Sequence, residues 1–234
     1  MTVDEQLVTF RGRCPFWQYI PSKPGKYGIK VWTICGSETS YAWKMDVYIG
    51  KKNPGEKREV KLGEKVVIYL TSEIEKSGHN ITCDNFFTSL SLARNLLSKH
   101  LTLVGTIRHN KPELPPTFTT TKNRVPYSSI FGFQKDATIV SYCPKKGKIV
   151  TLLSTMHDKA EIDEGEQHKP EIILTYRYNR TKAGVDTMDQ MVRGYTVKRK
   201  TCRWPLVIFY NMVDVSALFC GNHLIHVTME KKNV

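Results

Sequence analysis

The sequence predicts an α/β fold in which a three-strand meander leads into a parallel strand–helix–strand unit. Three observations point there. Polar/apolar alternation of the β type fills much of the first fifty residues, the apolar period becomes helical from Val66 onward, and short apolar runs separate the helical stretches.

Taken in order, Val3 to Arg11 is β-prone and is followed by the loop Pro21-Ser-Lys-Pro-Gly25. Ile29 to Ile34 alternates, as does part of Tyr41 to Ile49, which completes the meander. Lys51 to Glu59, with Pro54-Gly55, reads as a charged turn region. Val66, Val67, Leu70 and Ile74 then recur at helical spacing. A short strand, Asn80 to Cys83, precedes a second helix that places Ser89, Leu92, Ala93, Leu96 and Leu97 on one face, with Thr88 or Ser89 as its N-cap. Leu101 to Ile107 is the next strand.

Beyond Arg108 the composition shifts. Lys111 to Pro126 is rich in Pro and Thr and reads as an extended loop. Thr138 to Tyr142 and Ile149 to Thr155 form a hairpin pattern around Pro144-Lys-Lys-Gly147, and an acidic loop, Asp158 to Glu166, separates it from a strand at Ile172 to Tyr178. Residues 111–173 are therefore expected to be an inserted subdomain between 1–110 and 174–195, with 196–234 forming a further helical region. Helix resumes near Ala183 and, after a basic break at Lys198 to Arg203, again from Pro205, a residue suited to a first turn. The apolar stretch Trp204 to Val227 contains Asn211, Asp214, Asn222, His223 and His226, so it reads as a helix of a soluble protein and not a membrane span.

Charge narrows the partners. Thirty-five Lys and Arg against 22 acidic residues give the 234-residue chain a net charge of +13, which favours a polyanion: nucleic acid first, an acidic membrane surface second. The six cysteines contain no Cys-x-x-Cys pair, so no zinc ribbon or finger is indicated. The opening Met-Thr-Val-Asp-Glu does not resemble a secretory signal. The expectation is an intracellular chain with reduced thiols, in which the sequons at Asn80 and Asn179 carry no weight.

Four aspartates stand out on this outline. Asp4 lies on the first strand, and Asp84 follows the short strand at the end where parallel strands present ligands. Asp186 and Asp189 are three apart on a helix, hence on one face. Two readings are open on pattern alone: ordinary surface or capping aspartates, or a metal site. Phosphodiester chemistry would suit the second, because two divalent ions about 3.5–4 Å apart activate the attacking oxygen and stabilise the leaving one. Mg²⁺ and Mn²⁺ prefer hard oxygen donors, which carboxylates supply.

The local sequences resemble a known family. Val3-Asp-Glu-Gln-Leu7, Phe10-Arg-Gly-Arg-Cys-Pro15 and Tyr19-Ile-Pro-Ser-Lys-Pro-Gly-Lys-Tyr-Gly-Ile-Lys30 are similar to the opening of the piggyBac transposase catalytic domain. Asn80-Ile-Thr-Cys-Asp-Asn-Phe-Phe-Thr-Ser89 resembles its second acidic motif, and Val104-Gly-Thr-Ile-Arg108 continues the similarity. Thr181-Lys-Ala-Gly-Val-Asp-Thr-Met-Asp-Gln190 resembles the third motif, and Arg199-Lys-Thr-Cys-Arg-Trp-Pro205 the basic segment behind it.

The resemblance implies an RNase H-like (DDE/D transposase) mixed sheet with flanking helices and a β-rich insertion. It implies that Asp4, Asp84 and Asp186 are the catalytic triad, that Asp189 assists, and that the four hold two Mg²⁺ or Mn²⁺ ions. It further implies nuclear DNA cleavage and strand transfer through hairpin ends at TTAA sites, by a protein that dimerises through segments flanking the catalytic domain and engages no membrane. Residues 196–234 would then be part of a helical dimerisation and DNA-binding region. The flanks of the family's catalytic domain extend beyond both ends of this sequence, so a host-adopted or decayed DNA-binding derivative is the alternative.

The densest basic run, Lys198, Arg199, Lys200 and Arg203 beside Trp204, reads either as a solvated connecting loop or as a set of phosphate contacts. Arg11 and Arg13, flanking Gly12, read either as a surface turn or as further backbone contacts. Trp17, Trp32 and Trp43 are expected to pack in the core or against the insertion and not to serve as base-stacking platforms, and His157, His223 and His226 are expected to be structural.

Overall fold

The computed structural model describes residues 1–50, 60–160, 162–163, 171–172 and 178–230. The turn region at 51–59 and most of the strand read over 172–178 lie outside the described residues, as do Glu161 and Glu164 of the acidic loop. Eleven described strands are β1 (Thr2–Thr9), β2 (Gln18–Tyr19), β3 (Tyr27–Cys35), β4 (Ala42–Val47), β5 (Asn80–Cys83), β6 (Thr102–Thr106), β7 (Ser129–Phe133), β8 (Thr138–Lys145), β9 (Lys148–Ser154), β10 (Ile162–Asp163) and β11 (Glu171–Ile172). The helices with described bounds are α1 (Leu62–Thr71), α2 (Leu90–Ser98), α3 (Pro116–Thr119), α4 (Gly184–Gly194) and α5 (Trp204–Glu230). The chain divides into two compact units: Met1–Val3 with Glu59–Ala183, and Asp4–Arg58 with Gly184–Val234.

In the first unit the strands run in the order β1, β5, β6, β9, β8, β7. Thr2 pairs with Thr82 and Val3 with Cys83 in parallel register, and β5–β6 is also parallel. The β6–β9–β8–β7 pairings are antiparallel, so the sheet is mixed. Ile81, Thr82 and Cys83 are all buried, as a strand covered on both faces requires. The connection from β5 to β6 runs through α2, whose apolar face is Leu92, Ala93 and Leu96 and whose first turn is capped by Ser89 Oγ accepting from the Leu92 N–H at 3.1 Å. Helix α1 buries Val66, Val67 and Leu70, and its Gly63 lies so near the Phe86 carbonyl that a Cβ would come within 2.7 Å of the oxygen.

The hairpin expected around Pro144–Gly147 is the β8–β9 pair, turned at Gly147 with φ 75°. Beyond the short strands β2 and β10, the latter inside the stretch read as an acidic loop, two further elements were not expected. Helix α3 interrupts the Pro/Thr-rich loop, where Pro116 starts a turn that sinks Phe118 to 8% exposure, and β7 pairs with β8. A lone apolar residue among prolines and threonines does not announce itself by periodicity, and tertiary packing decides its place.

In the second unit β1, β3 and β4 form the expected meander, with two-residue β2 added on β3. One core joins Val8, Phe10, Cys14, Phe16, Ile29 and Val31 to Val207 of α5. A second joins Cys35 to Val185, Met188 and Val192 of α4 and Val215 of α5. Trp32 is core at 2% exposure, whereas Trp17 and Trp43 are 48% and 47% exposed. These two are not core: Trp17 rests against Tyr27 beside β2, and Trp43 lies on an outward position of β4. Among the described residues no helix is long and apolar enough to cross a membrane.

Candidate active site

Three of the four singled-out aspartates belong to the second unit. Asp4 is half-buried on β1, and its Oδ1 accepts the N–H of Glu5 at 2.8 Å. Asp186 projects from the first turn of α4, where a carboxylate complements the positive end of the helix dipole. Its Oδ1 accepts from Lys23 Nζ at 2.7 Å, and the Lys23 side chain is far more buried than that of Asp186. Burial alone would lower the Lys23 pKa. The hydrogen bond to Asp186 and the charges of Asp4, Asp186 and Glu5 outweigh it and hold the ammonium above its ordinary value.

Asp189 follows one turn later and is buried at 5% exposure. The α4 residues Val185, Met188 and Val192 face the core, which puts Asp186 on the solvent side and Asp189 at the buried edge. Asp189 accepts from Gln6 Nε2 at 3.2 Å and is paired with Arg193 one turn on. Gln6 in turn exchanges hydrogen bonds with Asn211 of α5 at 3.2 and 3.0 Å. Burial pushes the Asp189 carboxyl above the usual carboxylate range, against the pull of Arg193, Gln6 and Lys23. The buried amides and the arginine satisfy a carboxylate that would otherwise be costly to place there.

Asp84 belongs to the first unit, directly after β5. Its Oδ1 accepts the Phe86 N–H at 2.8 Å, and its carbonyl accepts the Thr88 N–H and hydroxyl at 3.1 and 2.8 Å. These bonds shape the turn that leads to the Ser89 cap. Arg108, two residues beyond β6, reaches Asn85 Oδ1 at 3.3 Å and lies over the Phe86 ring.

The same unit ties three stretches of the sequence together through hydroxyls. Thr2 Oγ1 donates to the Thr181 carbonyl at 2.5 Å, and Thr82 Oγ1 and Thr181 Oγ1 are 2.8 Å apart. Thr2 lies two residues before Asp4, Thr82 two before Asp84, and Thr181 five before Asp186. Thr2, Thr82, Thr181, Lys23, Gln6, Arg193 and Asn211 are residues that sequence reasoning did not single out. The spacing of Thr2 and Thr82 before their aspartates was visible. Lys23 gave no signal, and Asn211 stood out only as a polar residue in an apolar stretch.

The basic segments form one surface in the second unit. A Cβ on Gly12 would lie 3.0 Å from the Cys202 carbonyl, so the Arg11–Arg13 turn abuts the Lys198–Arg203 run. Arg11, Arg13, Arg199, Lys200 and Arg203 are exposed. Lys198 instead donates to the Thr9 carbonyl, with burial lowering its pKa, and Trp204 packs edge-on to Phe16 at 4.9 Å. These two anchor the run.

Carboxylate oxygens are the donors that Mg²⁺ and Mn²⁺ take, and a cation, the Lys23 ammonium, already rests on Asp186 under the influence of Asp4. The donor chemistry fits a divalent ion. Among the described residues no group of three or more His, Cys, Asp or Glu is gathered closely enough to hold one as it stands.

A family model described as Transposase IS4 matches residues 1–218. Human PiggyBac transposable element-derived protein 3 is 24% identical over 229 residues, covering 90% of this chain and 38% of its own length. Human PiggyBac transposable element-derived protein 2 is 24% identical over 216 residues, covering 86% of this chain and 36% of its own. A cryo-EM structure of a piggyBac transposase synaptic complex with hairpin DNA is 43% identical, with a TM-score of 0.90 over 99% of this chain and 48% of that one. The chain thus spans less than half the length of each.

Proposed function

Because the chain belongs to the piggyBac group of the Transposase IS4 family and has its RNase H-like fold, we propose that it is the catalytic core of a metal-dependent DNA transposase. Asp4, Asp84 and Asp186 would hold the divalent ions, two by the family's pattern. When bound, they supply Lewis-acid stabilisation of the phosphoryl oxygens and an activated water. The hydroxyl cluster of Thr2, Thr82 and Thr181 is the observation that carries the reading, since it joins the second and third aspartate-bearing motifs to the residue just before the first.

The chain's own residues then divide the work. Asp189, fixed by Gln6 and Arg193, holds α4 to β1 and so sets where Asp186 sits. Arg11, Arg13, Arg199, Lys200 and Arg203 bind DNA phosphates, with Lys198 and Trp204 fixing the surface that presents them. Water cleaves one strand, and the freed 3′-hydroxyl attacks the opposite strand to close a hairpin; after resolution it attacks a TTAA target. The setting of this reading is the nucleus, and the acting form a homodimer.

The test is cleavage. The purified chain with Mg²⁺ or Mn²⁺ is expected to nick DNA, and Asp84→Asn to abolish nicking while preserving DNA binding. Equal cleavage by that variant would overturn the assignment. Salt-sensitive binding without any metal-dependent cleavage would favour a host-adopted DNA-binding derivative instead.

A further inference from the structure

We propose that Trp17, Tyr19 and Tyr27 form a stacking platform for the bases of an unpaired DNA strand whose phosphates lie on the adjoining arginines. The inference rests on the functional reading above for DNA as the partner, and assigns residues that reading does not use.

The platform follows from the register of one short segment. From Arg11 to Pro21 exposure alternates, so that Arg11, Arg13, Pro15, Trp17, Tyr19 and Pro21 are all exposed while Cys14 and Phe16 sink into the core. Tyr19 of β2 stands directly opposite Tyr27 of β3, with ring centroids 4.8 Å apart, and the Trp17 ring lies 5.7 Å from that of Tyr27. The Arg11 guanidinium lies over the Tyr27 ring at 5.8 Å, which joins the aromatic group to the basic turn. The Tyr27 backbone is held in place by its carbonyl, which accepts the Phe10 N–H at 3.1 Å.

Trp17, Tyr19 and Tyr27, at 48%, 51% and 38% exposure, leave much of their apolar surface in water. Scattered singly such residues need no explanation, but a contiguous group marks a contact surface. Charge decides what contacts it. Residues 6–37 contain five Lys and Arg and not one Asp or Glu, and the exposed Arg199, Lys200 and Arg203 belong to the run that adjoins the Arg11–Arg13 turn. A proline-rich peptide would use the rings and leave the cations idle. A DNA strand uses both, since every base has a flat face for an aromatic ring and every nucleotide a phosphate for a cation. Bases inside a duplex are already stacked on one another, so the rings favour a strand that has lost its partner.

The experiment is fluorescence anisotropy on the full chain in EDTA, with a labelled oligothymidine of about twenty nucleotides as the single strand and a labelled duplex of equal length beside it. Trp17→Ala with Tyr19→Ala is expected to weaken oligothymidine binding about tenfold and duplex binding no more than about threefold. Trp17→Leu keeps apolar bulk without the flat ring and is expected to show the same selective loss in smaller measure, which guards against a folding artefact. Tyr19→Phe, which keeps the ring, is expected to bind the single strand like wild type. Equal losses on the two probes, no loss in either ring-deleting variant, or binding of the duplex alone by wild type would each overturn the inference while leaving DNA binding standing. Decaproline binding that the double variant loses, with its DNA binding intact, would assign the rings to a peptide and overturn it likewise. Failure of wild type to bind either DNA would overturn the DNA reading itself, and this inference with it.

Discussion

Thr82 and Thr181 are 99 residues apart in the chain, yet their hydroxyl oxygens are 2.8 Å apart in the fold. Thr181 also receives the Thr2 hydroxyl on its carbonyl, across 179 residues. Closing loops of this length costs conformational entropy, and the hydrogen bonds, with the β1–β5 pairing around them, offset it. Thr82 is 1% exposed, so its hydroxyl depends on protein partners.

Thr181→Val should accordingly cost about 1–2 kcal/mol of stability, by leaving the buried Thr82 hydroxyl short of a partner. Thr181→Ser should restore most of it. Urea unfolding followed by circular dichroism measures both, and equal midpoints for the two variants would show that the hydroxyl contributes nothing.

Much of the fold was legible, because it is written in period and punctuation. The meander, α1, β5, the Ser89 cap, β6 and the β8–β9 hairpin all follow from alternation, helical spacing or a turn residue. The four aspartates were legible as motif members; the structure pairs Asp186 with Lys23, and Asp189 with Gln6 and Arg193. What remained illegible depends on pairs distant in sequence. Gln6 and Asn211 are 205 residues apart and look like any polar residues until burial joins them. Trp17 and Trp43 look like core residues because their ring size is visible in sequence and their outward register is not.

Gly63→Ala should destabilise the chain despite the better helix former. Alanine gains about 1 kcal/mol of propensity in a helix interior. The added Cβ would lie 2.7 Å from the Phe86 carbonyl oxygen and 3.0 Å from Phe87 Cα, both backbone atoms that cannot rotate away. Overpacking of that kind costs about 1–3 kcal/mol, so the clash wins. A lower urea midpoint is the expected reading, and a raised one would mean that α1 can slide away from the turn after Asp84.

The cysteines should separate into two classes. Cys202 and Cys220 are exposed, and Cys14, Cys35, Cys83 and Cys143 are buried. Burial, reinforced by Asp4, pushes the Cys35 thiol from 9.0 up to about 12. In the folded state it keeps its proton where the unfolded chain would lose it. Its contribution to stability is thus fully present below about pH 9 and declines as pH rises toward 12. Iodoacetamide at pH 8 should label Cys202 and Cys220 in the native protein, and the other four only after denaturation. Rapid native labelling of Cys35, read by peptide mass spectrometry, would contradict its placement against Met188.

DNA affinity should respond differently to neighbouring basic residues. Lys198, Arg199 and Arg203 are all exposed, but the Lys198 ammonium already donates to the Thr9 carbonyl. Removing one cation that neutralises a duplex phosphate lowers the slope of log affinity against log salt by about 0.9. Arg199→Ala with Arg203→Ala should therefore flatten the slope by nearly two, with little change in melting temperature. Lys198→Ala should lower the melting temperature and leave the slope almost unchanged, because the Lys198 ammonium donates to the Thr9 carbonyl and so anchors the run to β1. Fluorescence anisotropy across a salt series, run beside thermal melts, separates the two behaviours. A slope that falls as far for Lys198→Ala as for either arginine variant would mean that the lysine leaves Thr9 when DNA binds.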